Sequence, residues 1–69
     1  MTIGEHIREA RKGKGYSISK LSLKSGVAVQ TIWKWETDET MPTVILLMCV
    51  ADALEITLDE LVGRKIKNE

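Results

Sequence analysis

Residues 17–36 read SISKLSLKSGVAVQTIWKWE, and how they fold decides the architecture of the chain. Ser17 can cap a helix that continues to about Lys24, with Leu21 as its inward anchor. Ser25 and Gly26 stop it, because glycine accepts the left-handed conformation that a side chain resists. After a three-residue turn through Gly26 and Val27, a further helical segment begins at Ala28, where no Ser or Thr is present as a cap. Helical spacing puts Val27, Ile32 and Trp35 on one side of this segment and Val29, Gln30, Trp33 and Lys34 on the other. Two short helices crossing over a small core through a glycine turn make a helix-turn-helix.

Outward from that stretch the pattern stays helical. Thr2 and Glu5 have capping-box spacing and open a first helix with Ile3, Ile7 and Ala10 on one stripe, closed by Gly13 and Gly15. Arg8, Arg11 and Lys12 fall near its C-terminal end, where positive charge complements the helix dipole. Beyond the polar loop of residues 37–41, Pro42 and Thr43 introduce a fourth helix whose core stripe is expected at Val44, Leu47, Val50, Ala51 and Leu54. Thr57 and Glu60 form a second capping box for a short last helix with Leu58, Leu61 and Val62, ended by Gly63. The expected architecture is all-α, a compact five-helix domain over residues 1–63, with residues 64–69 as a charged tail. No strand-length alternation, internal repeat or low-complexity segment interrupts it.

A chain of 69 residues has room for one domain, and 43% hydrophobic with 29% charged residues is a globular composition. Its net charge is zero, but the charge is divided. Residues 1–35 carry seven Lys or Arg against two acids, a net +5, and residues 36–69 carry three against eight, a net −5. Only the basic half would steer toward nucleic acid. The longest apolar run, residues 44–51, is far short of the roughly 20 residues a bilayer span needs. The single cysteine, Cys49, fits a reducing, cytoplasmic setting and cannot make an internal disulfide or a zinc knuckle. Neither a metal, a cofactor nor a small-molecule ligand is indicated. An enzyme is not expected, since the only histidine, His6, and the only thiol sit on different helices without a catalytic carboxylate arrangement. His6 reads as a surface residue beside Ile7.

The outer face of the third helix suits the major groove of double-stranded DNA. The Gln30 amide can pair with adenine N6 and N7, Lys34 can reach guanine or a phosphate, and Val29 can meet a thymine methyl. Trp33 is large, apolar and outward.

From Ile3 to Val62 the chain resembles the lambda-repressor-like helix-turn-helix family, the Cro and phage-repressor type. The resemblance is carried in register by Ile3-Gly4, Ile7-Arg8, Arg11, Ser17, Leu21, Gly26-Val27, Thr31-Ile32, Glu36, Pro42, Leu47, Ala51, Leu54, Leu58 and Glu60-Leu61. It implies a transcriptional repressor or regulator that binds a pseudo-palindromic operator as a homodimer. It further implies base contacts from Val29, Gln30, Trp33 and Lys34, and phosphate contacts from Ser17, Ile18 and Ser19 through the helix N-terminus and from Thr37. Arg11 and Glu36 would form a structural ion pair, which leaves Glu36 unavailable to DNA.

The sequence also departs from that family pattern. Ile18 stands where many members have a glutamine, and residues 37–40 read TDET where glycine and basic residues are usual. Acids there repel phosphates unless the loop turns away. Ile45, Leu46 and Cys49 project off the expected core stripe of the fourth helix, a candidate patch for a homodimer or a protein partner. An interaction module of the same fold, antirepressor-like or antitoxin-like, would use that patch and Trp33 instead of DNA.

Overall fold

The start of each of five helices is set by local chemistry, and four of them are capped by a side chain. The structure, a computed structural model, describes residues 1–63. Helix α1 covers Ile3–Gly13, α2 Ile18–Ser25, α3 Val29–Glu36, α4 Val44–Leu54 and α5 Leu58–Val62. Thr2 and Glu5 make a reciprocal capping box, and Thr57 and Glu60 repeat it at α5. The hydrogen bond to the Thr2 backbone holds the Glu5 carboxyl below its ordinary value, and the Thr57 backbone does the same for Glu60. Ser17 and Thr43 accept from the N–H three residues on, whereas Ala28 at the head of α3 offers nothing. Gly26 ends α2 in the left-handed conformation at φ 77°. The charged tail expected at residues 64–69 lies outside the described residues.

Every element contributes to one core. It consists of Ile7 from α1, Leu21 from α2, Val27 from the turn and Ile32 and Trp35 from α3, with Leu47, Val50, Ala51 and Leu54 from α4 and Leu61 from α5. α1 packs on α3 and α5, α2 on α3 and α4, and α4 on α5. The α1–α3 contact depends on a glycine: a Cβ on Gly4 would lie 2.0 Å from the Trp35 carbonyl oxygen. Helix α1 can therefore rest directly on the C-terminal backbone of α3.

Two expectations are corrected here. Val44 is not part of the core stripe but 64% exposed. It lies on the first turn of α4, where the apolar surface extends all round the helix and periodicity alone cannot tell which arc is covered. His6 is not simply a surface residue. It is half-buried, and its ring lies 2.4 Å from where a Gly63 side chain would begin, so it caps the end of α5 by packing.

Candidate nucleic-acid interface

The orientation of α3 is set by a buried ion pair. Arg11 Nε and Nη2 donate to Glu36 Oε2 and Oε1 at 2.8 and 2.9 Å, and Nη1 donates to the Tyr16 carbonyl at 2.8 Å. Their side chains are 11% and 5% exposed. Geometry of this kind satisfies the guanidinium fork on both edges. Donation to the Glu36 carboxylate holds the Arg11 guanidinium above its ordinary value, against the burial that lowers it. The result is that α1, the α1–α2 turn and the end of α3 are tied at one point, and Glu36 faces inward.

With that end held, the opposite face of α3 is in solvent. Val29 and Trp33 are 43% and 50% exposed, and Gln30 and Lys34 are exposed beside them. All four are thus brought to one surface, while Ile32 and Trp35 fill the core beneath. Because Ala28 makes no side-chain cap, the first N–H groups of α3 keep no intrahelical partner. The N-terminus of α2 is different. Ser17 Oγ is occupied by Lys20 N–H at 3.0 Å, and the Ile18 side chain is half-buried against the core, so the free donors there are the backbone N–H groups of Ile18 and Ser19.

Thr37 and the acidic loop behave in a way that spacing did not foretell. The Thr37 hydroxyl donates back to the Trp33 carbonyl at 3.0 Å, so its proton serves the end of α3. Asp38 takes φ 63° and its Oδ2 accepts from the Thr2 hydroxyl at 3.1 Å, placing the carboxylate at the N-terminus of α1, where the helix dipole favours it. Glu39 N–H bonds the Lys34 carbonyl at 2.8 Å. The loop closes on α3 itself, and one of its two acids is engaged by the fold.

Two of the seven cations in the basic half are also engaged. Arg11 is in the ion pair above, and Lys14 pairs with Glu55, the left-handed residue that ends α4. That hydrogen bond raises the Lys14 ammonium and lowers the Glu55 carboxyl relative to their ordinary values. Arg8, Lys12, Lys20, Lys24 and Lys34 remain exposed.

Away from α3, the outer face of the first half of α4 is apolar, and exposed Asp52 follows one turn later. Ile45 is 74% exposed, Leu46 sits at the margin, and Val44 and Met48 join them, but Cys49 is half-buried and packs against the core. From Leu47 onward α4 is covered over a broad arc, which a helical wheel of α4 alone does not reveal. Among the described residues no helix is long and apolar enough to cross a membrane.

Residues 7–61 match the sequence profile of the helix-turn-helix family. The chain belongs to the lambda-repressor-like branch of that family. It is 35% identical over 69 residues to the cryptic phage CTXphi transcriptional repressor RstR of Vibrio cholerae, and 35% identical over 68 residues to the transcriptional regulator SinR of Bacillus subtilis. These alignments take in 100% and 97% of this chain but 62% and 61% of those proteins. Among solved structures, the P22 c2 repressor in complex with a synthetic operator matches with a TM-score of 0.83 and 31% identity, over 94% of this chain and 98% of that one. The restriction-modification controller protein C.AhdI of Aeromonas hydrophila matches equally well, with a TM-score of 0.83 and 29% identity over 86% and 89% of the two chains.

Proposed function

We propose that this member of the family is a sequence-specific DNA-binding transcriptional regulator, a repressor that occupies its operator and does no chemistry of its own. The observation that carries this reading is the exposed face of α3, where an amide, an amine and two apolar side chains stand over a core that holds the helix rigidly. The likeness to a repressor in complex with an operator supports it, as do relatives named as a repressor and a regulator. In this reading the N-terminal part of α3 enters the major groove. Gln30 pairs with adenine, Lys34 reaches guanine or a phosphate, and Val29 and Trp33 supply apolar contact. The N–H groups of Ile18 and Ser19 hold a phosphate at the head of α2. Thr37 would reach the backbone only by giving up its bond to Trp33.

The homodimer belongs to the same proposal. Val44, Ile45, Leu46 and Met48 form an uncharged surface, and a second copy packed there would present two α3 helices to half-sites about 34 Å apart. Residues 1–63 are the DNA-binding unit, residues 64–69 a charged extension, and the setting is the cytoplasm, where Cys49 stays a thiol. The experiment is salt-dependent binding to duplex DNA selected from random sequence, read by fluorescence anisotropy. The Gln30→Ala/Lys34→Ala variant should bind the selected site at least tenfold more weakly. Equal binding by parent and variant removes α3 from the interface. If no duplex is bound at any salt, the exposed α4 face favours the second reading, a protein-interaction module.

A further inference from the structure

Among the described residues other than glycine, only Asp38 and Glu55 take positive φ, at 63° and 59°. That conformation costs energy for a residue with a side chain, and aspartate tolerates it better than most. At Asp38 the cost is met by contacts. Its N–H donates to the Trp35 carbonyl at 3.1 Å, and its Oδ2 accepts from the Thr2 hydroxyl at 3.1 Å. Its Oδ1 stands over Gly4, 2.7 Å from where a Cβ would sit, so a residue without a side chain is what leaves room for it. The Thr2 hydroxyl is thereby used twice, accepting from the Glu5 N–H at 3.1 Å and giving its one proton to Asp38. Glu39 is different: its backbone N–H is held by the Lys34 carbonyl, and its side chain is exposed. α3 is eight residues long, about 12 Å, so on the proposed docking both carboxylates lie near one Debye length, about 10 Å at 0.1 M salt, from the end that enters the groove. Charge alone then predicts that removing either acid tightens DNA binding.

We propose that Asp38 is a positioning residue for DNA binding. Latched to Thr2 over Gly4, it holds the 37–41 loop and the C-terminal end of α3 on the head of α1, so that this acid raises affinity for the duplex whereas Glu39 lowers it. The proposal rests on the DNA-binding reading above and deepens it. The N–H groups of Thr37, Asp38 and Glu39 cover the carbonyls of Trp33, Trp35 and Lys34, so a loop released from α1 loosens the last turn of α3 with it. It also has more conformations to lose when the duplex binds.

The test compares variants on the duplex selected from random sequence, by anisotropy at low and at physiological salt and at a temperature where circular dichroism shows each variant folded. Glycine accepts positive φ freely, so Asp38→Gly removes the latch without straining the backbone. Asparagine tolerates it too, and its amide oxygen can accept from Thr2, so Asp38→Asn removes the charge alone. Asp38→Gly should bind about three- to tenfold more weakly, the range that the net worth of one hydrogen bond spans. Asp38→Asn should stay within about twofold of the parent, and Glu39→Gln should bind more tightly. The Asp38→Gly loss should persist as salt rises while the Glu39→Gln gain fades, because only the second is a screened charge effect. Thr2→Asp keeps a capping oxygen but has no proton to give, so it should weaken binding in the parent and do little in Asp38→Gly. Asp38→Gly binding at least as tightly as the parent overturns the proposal while Gln30-dependent binding stands. So does a loss that Asp38→Asn shares in full, or a Thr2→Asp penalty equal in both backgrounds. Absence of any bound duplex overturns both readings together.

Discussion

α3 and α4 are built alike and finished differently. Each lays one face in the core, Ile32 and Trp35 from α3 and Leu47, Val50, Ala51 and Leu54 from α4, and each turns the other face to solvent. The outer face of α3 mixes an amide, an amine and two apolar groups. That of α4 is apolar along Val44, Ile45 and Met48, with a charge only at Asp52 one turn further on. A mixed face can match base edges, which alternate donors, acceptors and methyls. An unmixed one has nothing to offer them and suits only another apolar surface. The ends differ too: α3 is tied down at its C-terminus by a buried ion pair and uncapped at its N-terminus, whereas Thr43 caps α4.

The largest effect should come from cutting the tie on α3. Glu36→Ala leaves the Arg11 guanidinium buried without its carboxylate and should cost about 3–5 kcal/mol. For a domain of this size that is a large share of the total stability, so the thermal midpoint followed by circular dichroism should fall below the working range. Glu55→Ala, which breaks the solvent-facing pair at the end of α4, should leave the midpoint nearly where it was. Equal losses from the two variants would erase the distinction between a tethered α3 and a packed α4.

Next in size is the backbone contact beneath α3. Gly4→Ala places a Cβ against the Trp35 carbonyl and should cost about 1–3 kcal/mol as α1 shifts to make room. Melting should drop by roughly 4–8 °C for each kcal/mol lost. Selected-site affinity should drop with it, because α1 sets the pose of α3.

The two outer faces can then be separated directly. Lys34→Ala should lower the salt slope of DNA binding by about one and leave the proposed self-association unchanged. Ile45→Glu/Met48→Glu should give a monomer on sedimentation velocity, with the monomer's unfolding free energy changed by no more than about 0.5 kcal/mol. A single variant that moved both readouts equally would show one surface serving both ends.

How much of this was readable beforehand follows from range. Capping depends on neighbours three residues apart, so Thr2 with Glu5, Thr57 with Glu60, Ser17 and Thr43 were all legible, as was the glycine stop at Gly26. The inner and outer faces of α3 were legible because its apolar and polar residues separate cleanly at helical spacing. Val44 was misplaced because α4 is apolar on every side, and spacing cannot then say which arc meets α2 and α5. The Arg11–Glu36 pair followed from resemblance, since no local rule joins residues so far apart. Gly4 on Trp35, His6 on Gly63, Thr2 with Asp38 and Lys14 with Glu55 had no signal in the chain beyond residue types. Each exists only once the helices have crossed.

The smallest effect concerns the heads of the two helices. Thr43→Ala should cost about 1 kcal/mol, the usual value of a lost N-cap. At Ala28 the backbone already has the extended conformation of a cap residue, φ −61° and ψ 144°, so Ala28→Asp can accept the unpaired N–H groups of α3 and should stabilise the fold by about 0.5–1 kcal/mol. On the proposed docking the same carboxylate would stand among phosphates, where it should weaken DNA binding even as the protein melts at a higher temperature. Stability and affinity moving in opposite directions is the signature of a helix start left uncapped for its ligand. If Ala28→Asp gained stability and bound the selected site as tightly as the parent, the N-terminus of α3 would not face the duplex. The difference between α3 and α4 would then be one of composition alone.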